Sequence, residues 1–192
     1  MEMMIMRKKK INPFKQVNTF LKIDNTILRQ VKKNKSIIYG AQSIKKQIGN
    51  LRARKTIDWD IFSHSPKKSA NQLQRKLDKQ SGGDNFYQTP SQYHKQTFKV
   101  YGNGLDGVPK TKDDVGVADF TKPEKKIRTV MVDGIRYSHL SESEKDKKAS
   151  LASEEFAFRH KKDKDDLERI QLYNKLKKDK FLRNFLIKPG QE

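Results

Sequence analysis

The amino-acid sequence predicts an α+β fold, in which a mixed β-sheet is flanked by helices and followed by a helical C-terminal segment. Strand-like segments follow one another in the middle of the chain, whereas both ends carry helical periodicity. Because helices and strands do not alternate regularly, the order of elements disfavours a doubly wound α/β sheet. The hydrophobic fraction is 33%, and the 10 Phe, 6 Tyr and 1 Trp are enough for one modest core.

Hydrophobic periodicity places the individual elements. It predicts five helices, over residues 13–33, 41–53, 66–81, 141–157 and 161–187. Period-two or short apolar runs predict seven strands, over residues 36–39, 56–62, 85–88, 97–101, 115–120, 127–132 and 135–138. Ser65 is predicted to cap the third helix, and Ser141 with Glu144 fits a capping box for the fourth. Residues 133–134, Asp-Gly, suit a type I′ hairpin turn.

Basic residues dominate the chain, which has a formal net charge of +20. We divide it into a basic N-terminal arm and helix (1–35), a core (36–140) and a C-terminal helical segment (141–192), with net charges of +8, +9 and +3. A field of this sign favours polyanionic partners such as nucleic acid, nucleotide phosphates or anionic lipid. The alternative is a lysine-rich, solvated surface with no specific partner.

Several function classes are excluded by residues that the sequence lacks. The absence of cysteine excludes disulfides, zinc–thiolate sites and thiol catalysis. No run of about 18 apolar residues exists, so no membrane span is expected. The basic cluster within residues 1–10 has no apolar segment after it, so a secretory signal is not expected. We therefore expect a cytoplasmic protein, with a nuclear or virion setting left open.

Two closely spaced aspartates suggest a metal site. In a strand, Asp58 and Asp60 would point to one face, while Ile57, Trp59 and Ile61 would point to the opposite, buried face. Neighbouring carboxylates repel unless a positive charge lies between them, and Mg²⁺ prefers oxygen ligands. The alternative is a strand with two solvated aspartates that pair with lysines.

A glycine turn upstream suggests a phosphate site. The apolar strand 36–39 runs into Gly40, which permits a tight turn and a close approach of a ligand to the backbone. Backbone N–H groups at the start of the next helix, together with the Ser43 hydroxyl, would suit a triphosphate. Amides for phosphates and carboxylates for metal would then form one site.

These motifs resemble those of the DNA polymerase β-like nucleotidyltransferase superfamily. That family's pattern is an apolar strand, a Gly-[Gly/Ser] turn, a helix, an apolar-flanked Asp-x-Asp/Glu and a later third carboxylate. The matching residues here are Gly40-Ala41, Arg54-x-Thr56-x-Asp58-Trp59-Asp60 and Asp119 in the apolar segment 115–120. The Arg-x-Thr-x-Asp-x-Asp form resembles the antitoxin-system and abortive-infection branch. Residues 159–167 resemble the family's Lys-Asp-x-x-Asp-Leu helix.

The resemblance implies a role for each of these positions. The implied catalytic residues and ligands of Mg²⁺ (or Mn²⁺) are Asp58, Asp60 and Asp119. The implied nucleotide-binding residues are Gly40, Ala41, Ser43, Arg54, Thr56 and Lys162. The implied reaction moves a nucleoside monophosphate from an NTP to a hydroxyl, with pyrophosphate leaving. From the charge alone, we expect a polyanionic acceptor, RNA or tRNA before DNA.

Two other functions remain open at this stage. One is a catalytically inactive protein with the nucleotidyltransferase fold that binds nucleic acid. The other is a toxin–antitoxin-type enzyme that nucleotidylates a protein. A third uncertainty concerns Lys162, Asp163 and Asp166, which share a helical face. This face is either a salt-bridged solvent face or one that reaches the nucleotide phosphates.

Overall fold

The computed structural model describes residues 13–49, 51 and 56–179. Within these residues the α-helices are α1 (Pro13–Asn34), α2 (Gly40–Ile48), α3 (Pro66–Ser81), α4 (Leu140–Leu151) and α5 (His160–Lys178), and a 3-10 helix spans Glu154–Arg159. The strands are β1 (Ile37–Tyr39), β2 (Trp59–Phe62), β3 (Phe86–Pro90), β4 (Thr97–Gly102), β5 (Val115–Thr121), β6 (Thr129–Val132) and β7 (Ile135–Ser138).

The strands form one mixed sheet with the order β3-β4-β5-β2-β1-β7-β6. Strand β2 pairs parallel with β5 and antiparallel with β1, and β1 pairs parallel with β7. The β6–β7 hairpin turns at Asp133 and Gly134, which have φ values of 52° and 73°. Positive φ at both positions is the type I′ geometry that the sequence predicts. The mixed sheet together with the flanking helices confirms the predicted α+β class.

One face of the sheet carries the main core. Alternate residues of the central strands, among them Ile38, Ile61 and Phe120, are fully buried and pack with Val31 of α1 and Leu73 of α3. Because neighbouring residues of a strand point to opposite faces, the residues between them belong to the other face. The packing of α1 and α3 thus leaves Tyr39, Asp60 and Asp119 on that other face.

The C-terminal helices attach through α2 rather than through the main core. Ile44 and Ile48 of α2 form a second buried cluster with Leu140 of α4 and Ile170 of α5. This cluster ties α4 and α5 to the helix that follows Gly40. The C-terminal segment is thereby held beside the glycine turn.

Buried ion pairs join α4 to α5. The Asp163 carboxylate is fully buried and accepts hydrogen bonds from Lys147 Nζ at 2.6 Å, Ser150 Oγ at 2.7 Å and Arg159 Nε at 3.0 Å. Asp166 is also fully buried and accepts from Arg169 Nη1 at 2.9 Å. Of the two alternatives left open for this face, a solvent face does not hold for Asp163 and Asp166, although both are salt-bridged. They point inward because α4 supplies a buried lysine that neutralises them.

Several element ends differ from the prediction. Strand β2 begins only at Trp59, so Ile57 lies before it and is 60% exposed instead of buried. Helix α2 ends at Ile48, where Gly49 has a φ of 65°. Helix α4 is capped by His139, whose Nδ1 accepts the Ser141 N–H at 3.1 Å, and not by the predicted capping box.

Some predictions concern residues outside the described part of the chain. They include the basic arm of residues 1–12 and Arg54. Among the helices that the structure describes, none is long and apolar enough to cross a bilayer.

Candidate active site

The register of three central strands brings together a tyrosine and two aspartates. Asp60 on β2 stands opposite Asp119 on the parallel neighbour β5, and opposite Tyr39 on the antiparallel neighbour β1. Directly opposed residues of neighbouring strands project from the same face of a sheet. The face that α1 and α3 leave uncovered therefore presents two adjacent carboxylates.

Gly40 lies against the Asp60 carboxylate. A Cβ atom at position 40 would overlap Asp60 Oδ2, and the Gly40 φ of +66° falls in the left-handed region. Both constraints require glycine at this position. The start of α2 is consequently in direct contact with Asp60, where the partial positive charge of the helix N-terminus favours an anion.

Asp58 lies just before β2 and is held by its own neighbour. Thr56 Oγ1 donates a hydrogen bond of 2.6 Å to Asp58 Oδ1. The charge of Asp58 acts on both Asp60 and Asp119, where it raises each pKa. Thr56, implied by the resemblance to bind nucleotide, is thus seen here as a donor that orients Asp58.

Lys99 is part of the site, and the sequence analysis missed it. It stands opposite Asp119 on β4, and its Nζ lies 2.8 Å from Asp119 Oδ2. The signal was the alternation of Thr97, Lys99 and Tyr101 in β4, a polar face on a strand that pairs with β5. Because strand neighbours are not determined by local sequence, that face could not be assigned to Asp119.

Burial and like charge shape the electrostatics of the site. Burial, reinforced by the charges of Asp58 and Asp119, raises the pKa of Asp60 to about 7 from an ordinary value of 3.8. Burial also raises the pKa of Asp119, although Lys99 opposes this. Lys162 of α5 acts in the opposite sense and lowers the pKa of Asp60. Burial and the repulsion between the aspartates therefore oppose the ionisation of Asp60 more strongly than Lys162 favours it.

The raised pKa of Asp60 predicts an unusual pH dependence of stability. Since the pKa of Asp60 is raised on folding, the native protein binds more protons than the unfolded chain between about pH 4 and 7. The free energy of unfolding should then fall as the pH rises through that window, by on the order of 1–3 kcal/mol. Urea unfolding in EDTA at pH 5 and pH 8 measures it. An Asp60→Asn variant should show a smaller fall, and equal falls in both proteins would contradict the prediction.

The Gly40 contact gives a second prediction. Gly40→Ala should lower the free energy of unfolding by about 2–4 kcal/mol, because strain at positive φ adds to displacement of the Asp60 side chain. Gly82→Ala is the matched control, since Gly82 also has positive φ (+77°) but nothing lies within 4 Å of an added Cβ. The control should lose only about 1–2 kcal/mol. Equal losses by thermal or urea unfolding would show that the contact with Asp60 has no consequence.

The other predicted nucleotide-binding residues differ in their surroundings. The buried Ser43 hydroxyl donates to the Ser138 carbonyl at 2.8 Å and ties α2 to β7, and its role toward a phosphate stays a prediction. The buried Ala41 side chain can contribute only its backbone. Lys162 is exposed and acts on Asp60, so it remains available for a phosphate. Arg54 lies outside the described residues.

The carboxylates suit a divalent cation, although they are not gathered into a ready metal cluster. Over residues 13–49, 51 and 56–179, no group of three or more His, Asp or Glu side chains is placed to hold an ion. Mg²⁺, however, commonly takes one or two carboxylates and completes its shell with water and substrate phosphates. The two paired aspartates supply such a donor set, and burial with the charges of Asp58 and Asp119 raises the pKa of Asp60.

Solved structures show which fold this arrangement belongs to. The polyadenylate synthase of Megavirus superposes with a TM-score of 0.65 at 20% identity, over 82% of this chain. The aligned region is 32% of the viral chain, so this protein spans about a third of that enzyme's length. The chain therefore shares the fold of that part of the viral enzyme, and the predicted fold class is confirmed.

Other comparisons add little to this assignment. A Helicobacter pylori protein assigned as a nucleotidyltransferase has 12% identity and a TM-score of 0.44, over 69% of this chain and 57% of its own. JHP933 from Helicobacter pylori has 12% identity and a TM-score of 0.47, over 90% and 85%. Scores below 0.5 do not establish a shared fold, so the assignment rests on the viral enzyme. The sequence matches no protein-family model and no curated protein.

Proposed function

We propose that this protein is a nucleotidyltransferase that moves a nucleoside monophosphate from an NTP to a hydroxyl of a polyanionic acceptor. One observation carries the proposal: Asp60 and Asp119 stand in register on parallel strands beside the Gly40 turn. Two adjacent carboxylates next to a helix N-terminus provide a place for a cation and for phosphates. The likeness of the fold to a polyadenylate synthase supports the same chemistry.

Each residue of the site receives a role. Asp60 and Asp119, with Asp58 oriented by Thr56, would hold Mg²⁺ or Mn²⁺. When bound, such an ion polarises phosphoryl oxygens and neutralises the charge that develops on the leaving group. The N-terminus of α2 and the exposed Lys162 would bind the triphosphate.

The reaction forms one bond and breaks one. The acceptor oxygen bonds to the α-phosphorus while the bond from that phosphorus to the α,β-bridging oxygen breaks, and pyrophosphate leaves. The acceptor hydroxyl loses its proton to Asp119, whose pKa is raised by burial. Lys99, at 2.8 Å from Asp119, would hold that carboxylate toward the acceptor.

The proposed acceptor is RNA, with tRNA included and DNA less favoured. The net charge of +20 favours a polyanion, and the name of the viral neighbour is that of an enzyme that makes polyadenylate. We also propose a cytoplasmic location, with a nuclear or virion setting as the alternatives. A protein acceptor is the alternative that the assay below distinguishes.

The ion pair at Asp119 favours a second candidate function. Lys99 neutralises the carboxylate that would otherwise take part in holding a metal ion. A protein of this fold that had lost catalysis would retain such a pair and bind nucleic acid only. The two functions differ in whether any nucleotide is transferred.

The test is a transfer assay with separate acceptors. The protein is incubated with Mg²⁺, the four α-³²P-labelled NTPs and, in turn, total RNA, tRNA, single-stranded DNA or a protein extract. We expect label in RNA that ribonuclease removes, and none with Asp119→Asn. Protease-sensitive label would instead establish a protein acceptor. RNA binding without label in any fraction would establish the non-catalytic candidate.

A further inference from the structure

A cationic groove lies away from the carboxylate face, between the N-terminal half of α3 and the adjoining ends of β4 and β5. Its cavity measures about 690 Å³. Five of the side chains that line it are basic, and none is acidic: Lys67, Lys68, Arg75, Lys95 and Lys122. All five are exposed. Within the described part of the chain, no ion pair joins them to a carboxylate.

The cations lie on two sides of the groove. Lys68 and Arg75 are seven residues apart on α3 and therefore about 10 Å apart along the helix axis. Lys122 follows β5 on the opposite side, where its N–H donates to the Gln96 carbonyl at 3.1 Å. The groove is thus flanked by positive charge on both sides, so a strand that lies in it can pair its phosphates with Lys68, Arg75 and Lys122.

The floor and the entrance of the groove also suit a nucleic acid strand. Phe98 of β4 is half-buried and lines the groove, where it offers an apolar surface to a base or a ribose. Helix α3 begins at Pro66 in the groove wall, so the positive end of its dipole points into the same region. An anionic membrane would need a protruding basic surface, whereas a strand fits into a groove.

The groove begins close to the candidate active site. Lys122 lies three residues beyond Asp119, which is about 10 Å along β5. A strand whose terminal hydroxyl reached Asp119 could therefore pass its phosphates around the end of β5. The bound strand would then join the groove to the candidate active site, although the two share no residue.

We propose that this groove binds the phosphate backbone of the single-stranded RNA acceptor. The assignment of the bound strand as the acceptor rests on the proposed function, whereas the binding of RNA in the groove does not. The groove supplies a localised contact surface, and the remaining surface lysines add only diffuse attraction.

The experiment compares two triple variants that remove equal charge. The groove variant is Lys68→Gln/Arg75→Gln/Lys122→Gln, and the control is Lys79→Gln/Lys112→Gln/Lys175→Gln, at exposed positions outside the groove. The probe is a fluorescent 15-nucleotide single-stranded RNA, without NTP, and its Kd is followed by anisotropy against salt. Three phosphate contacts at about 0.7 each predict that the slope of log Kd against log salt falls by about 2 in the groove variant. The control should change by less than about 0.5.

The outcomes separate this proposal from the proposed function. Equal slopes in the two triple variants would overturn the groove as an RNA site, and so would equal displacement of the RNA by polyglutamate of the same charge. Asp84→Asn should bind the RNA with the wild-type slope, because that exposed residue lies outside both the groove and the candidate active site. If the groove variant alone loses RNA binding while the wild type transfers no nucleotide, the groove proposal stands and the catalytic proposal fails.

Discussion

Asp60→Asn is expected to reduce nucleotidyl transfer by at least about 10³-fold and to leave the protein folded. Asparagine keeps the shape of the side chain beside Gly40 but removes the charge that would hold a cation. Asp119→Asn should be comparably inactive, because the two carboxylates act as a pair on β2 and β5. The measurement is initial-rate transfer of α-labelled nucleotide to RNA, with circular dichroism to establish folding.

The controls for this prediction come from the same chain. Asp84→Asn removes an exposed carboxylate outside the site and should retain wild-type activity. The double variant Asp60→Asn/Asp119→Asn should be little worse than either single variant, since residues that act as a unit have non-additive effects. Activity within tenfold of wild type in Asp60→Asn would remove this residue from the catalytic site.

Asp163→Ala has the largest expected effect on stability, about 3–5 kcal/mol of unfolding free energy. Asp163 is fully buried and accepts from Lys147 at 2.6 Å, and the Lys147 side chain is itself only 9% exposed. Removing the carboxylate leaves a buried ammonium with weaker compensation, and it also removes the partner of Ser150 and Arg159. Urea unfolding at pH 7 measures the loss.

Asp165→Ala is the matched control, because Asp165 lies on the exposed side of α5. It should change stability by no more than about 0.5 kcal/mol. The contacts of Asp163 with Lys147 and Ser150 outweigh its burial and lower its pKa. The stability that the Asp163 carboxylate contributes is therefore fully present above its unfolded-state pKa. It is lost as the pH falls through its folded-state pKa. A loss below about 1 kcal/mol in Asp163→Ala would show that the pair is not needed to join α4 to α5.

Local sequence predicted the parts of the site that depend on local geometry. The turn at Gly40 follows from an apolar strand that meets a glycine, and the hairpin at residues 133–134 follows from Asp-Gly. Asp60 follows from its apolar neighbours in a strand, whereas Asp119 follows from the family resemblance. Their juxtaposition came from the family resemblance, and the parallel pairing of β2 with β5 agrees with it.

The rest depends on contacts between distant segments, which periodicity does not encode. Lys99 can be assigned to the site only from the pairing of β4 with β5. The hydrogen bond of the Ser43 hydroxyl could not be predicted, because its acceptor, the Ser138 carbonyl, lies 95 residues away. The burial of Asp163 could not be predicted, because its buried partner, Lys147, belongs to a different helix.

The most direct test of the account is to follow the α- and γ-phosphates of the NTP separately in one reaction. Wild-type protein, Mg²⁺ and RNA are incubated in parallel with α-³²P- and γ-³²P-labelled NTPs, and Asp60→Asn serves as the blank. The account predicts that the α label enters RNA while the γ label is released as pyrophosphate. Transfer of the γ label to RNA, or no transfer of either label by protein that binds the RNA, would contradict it.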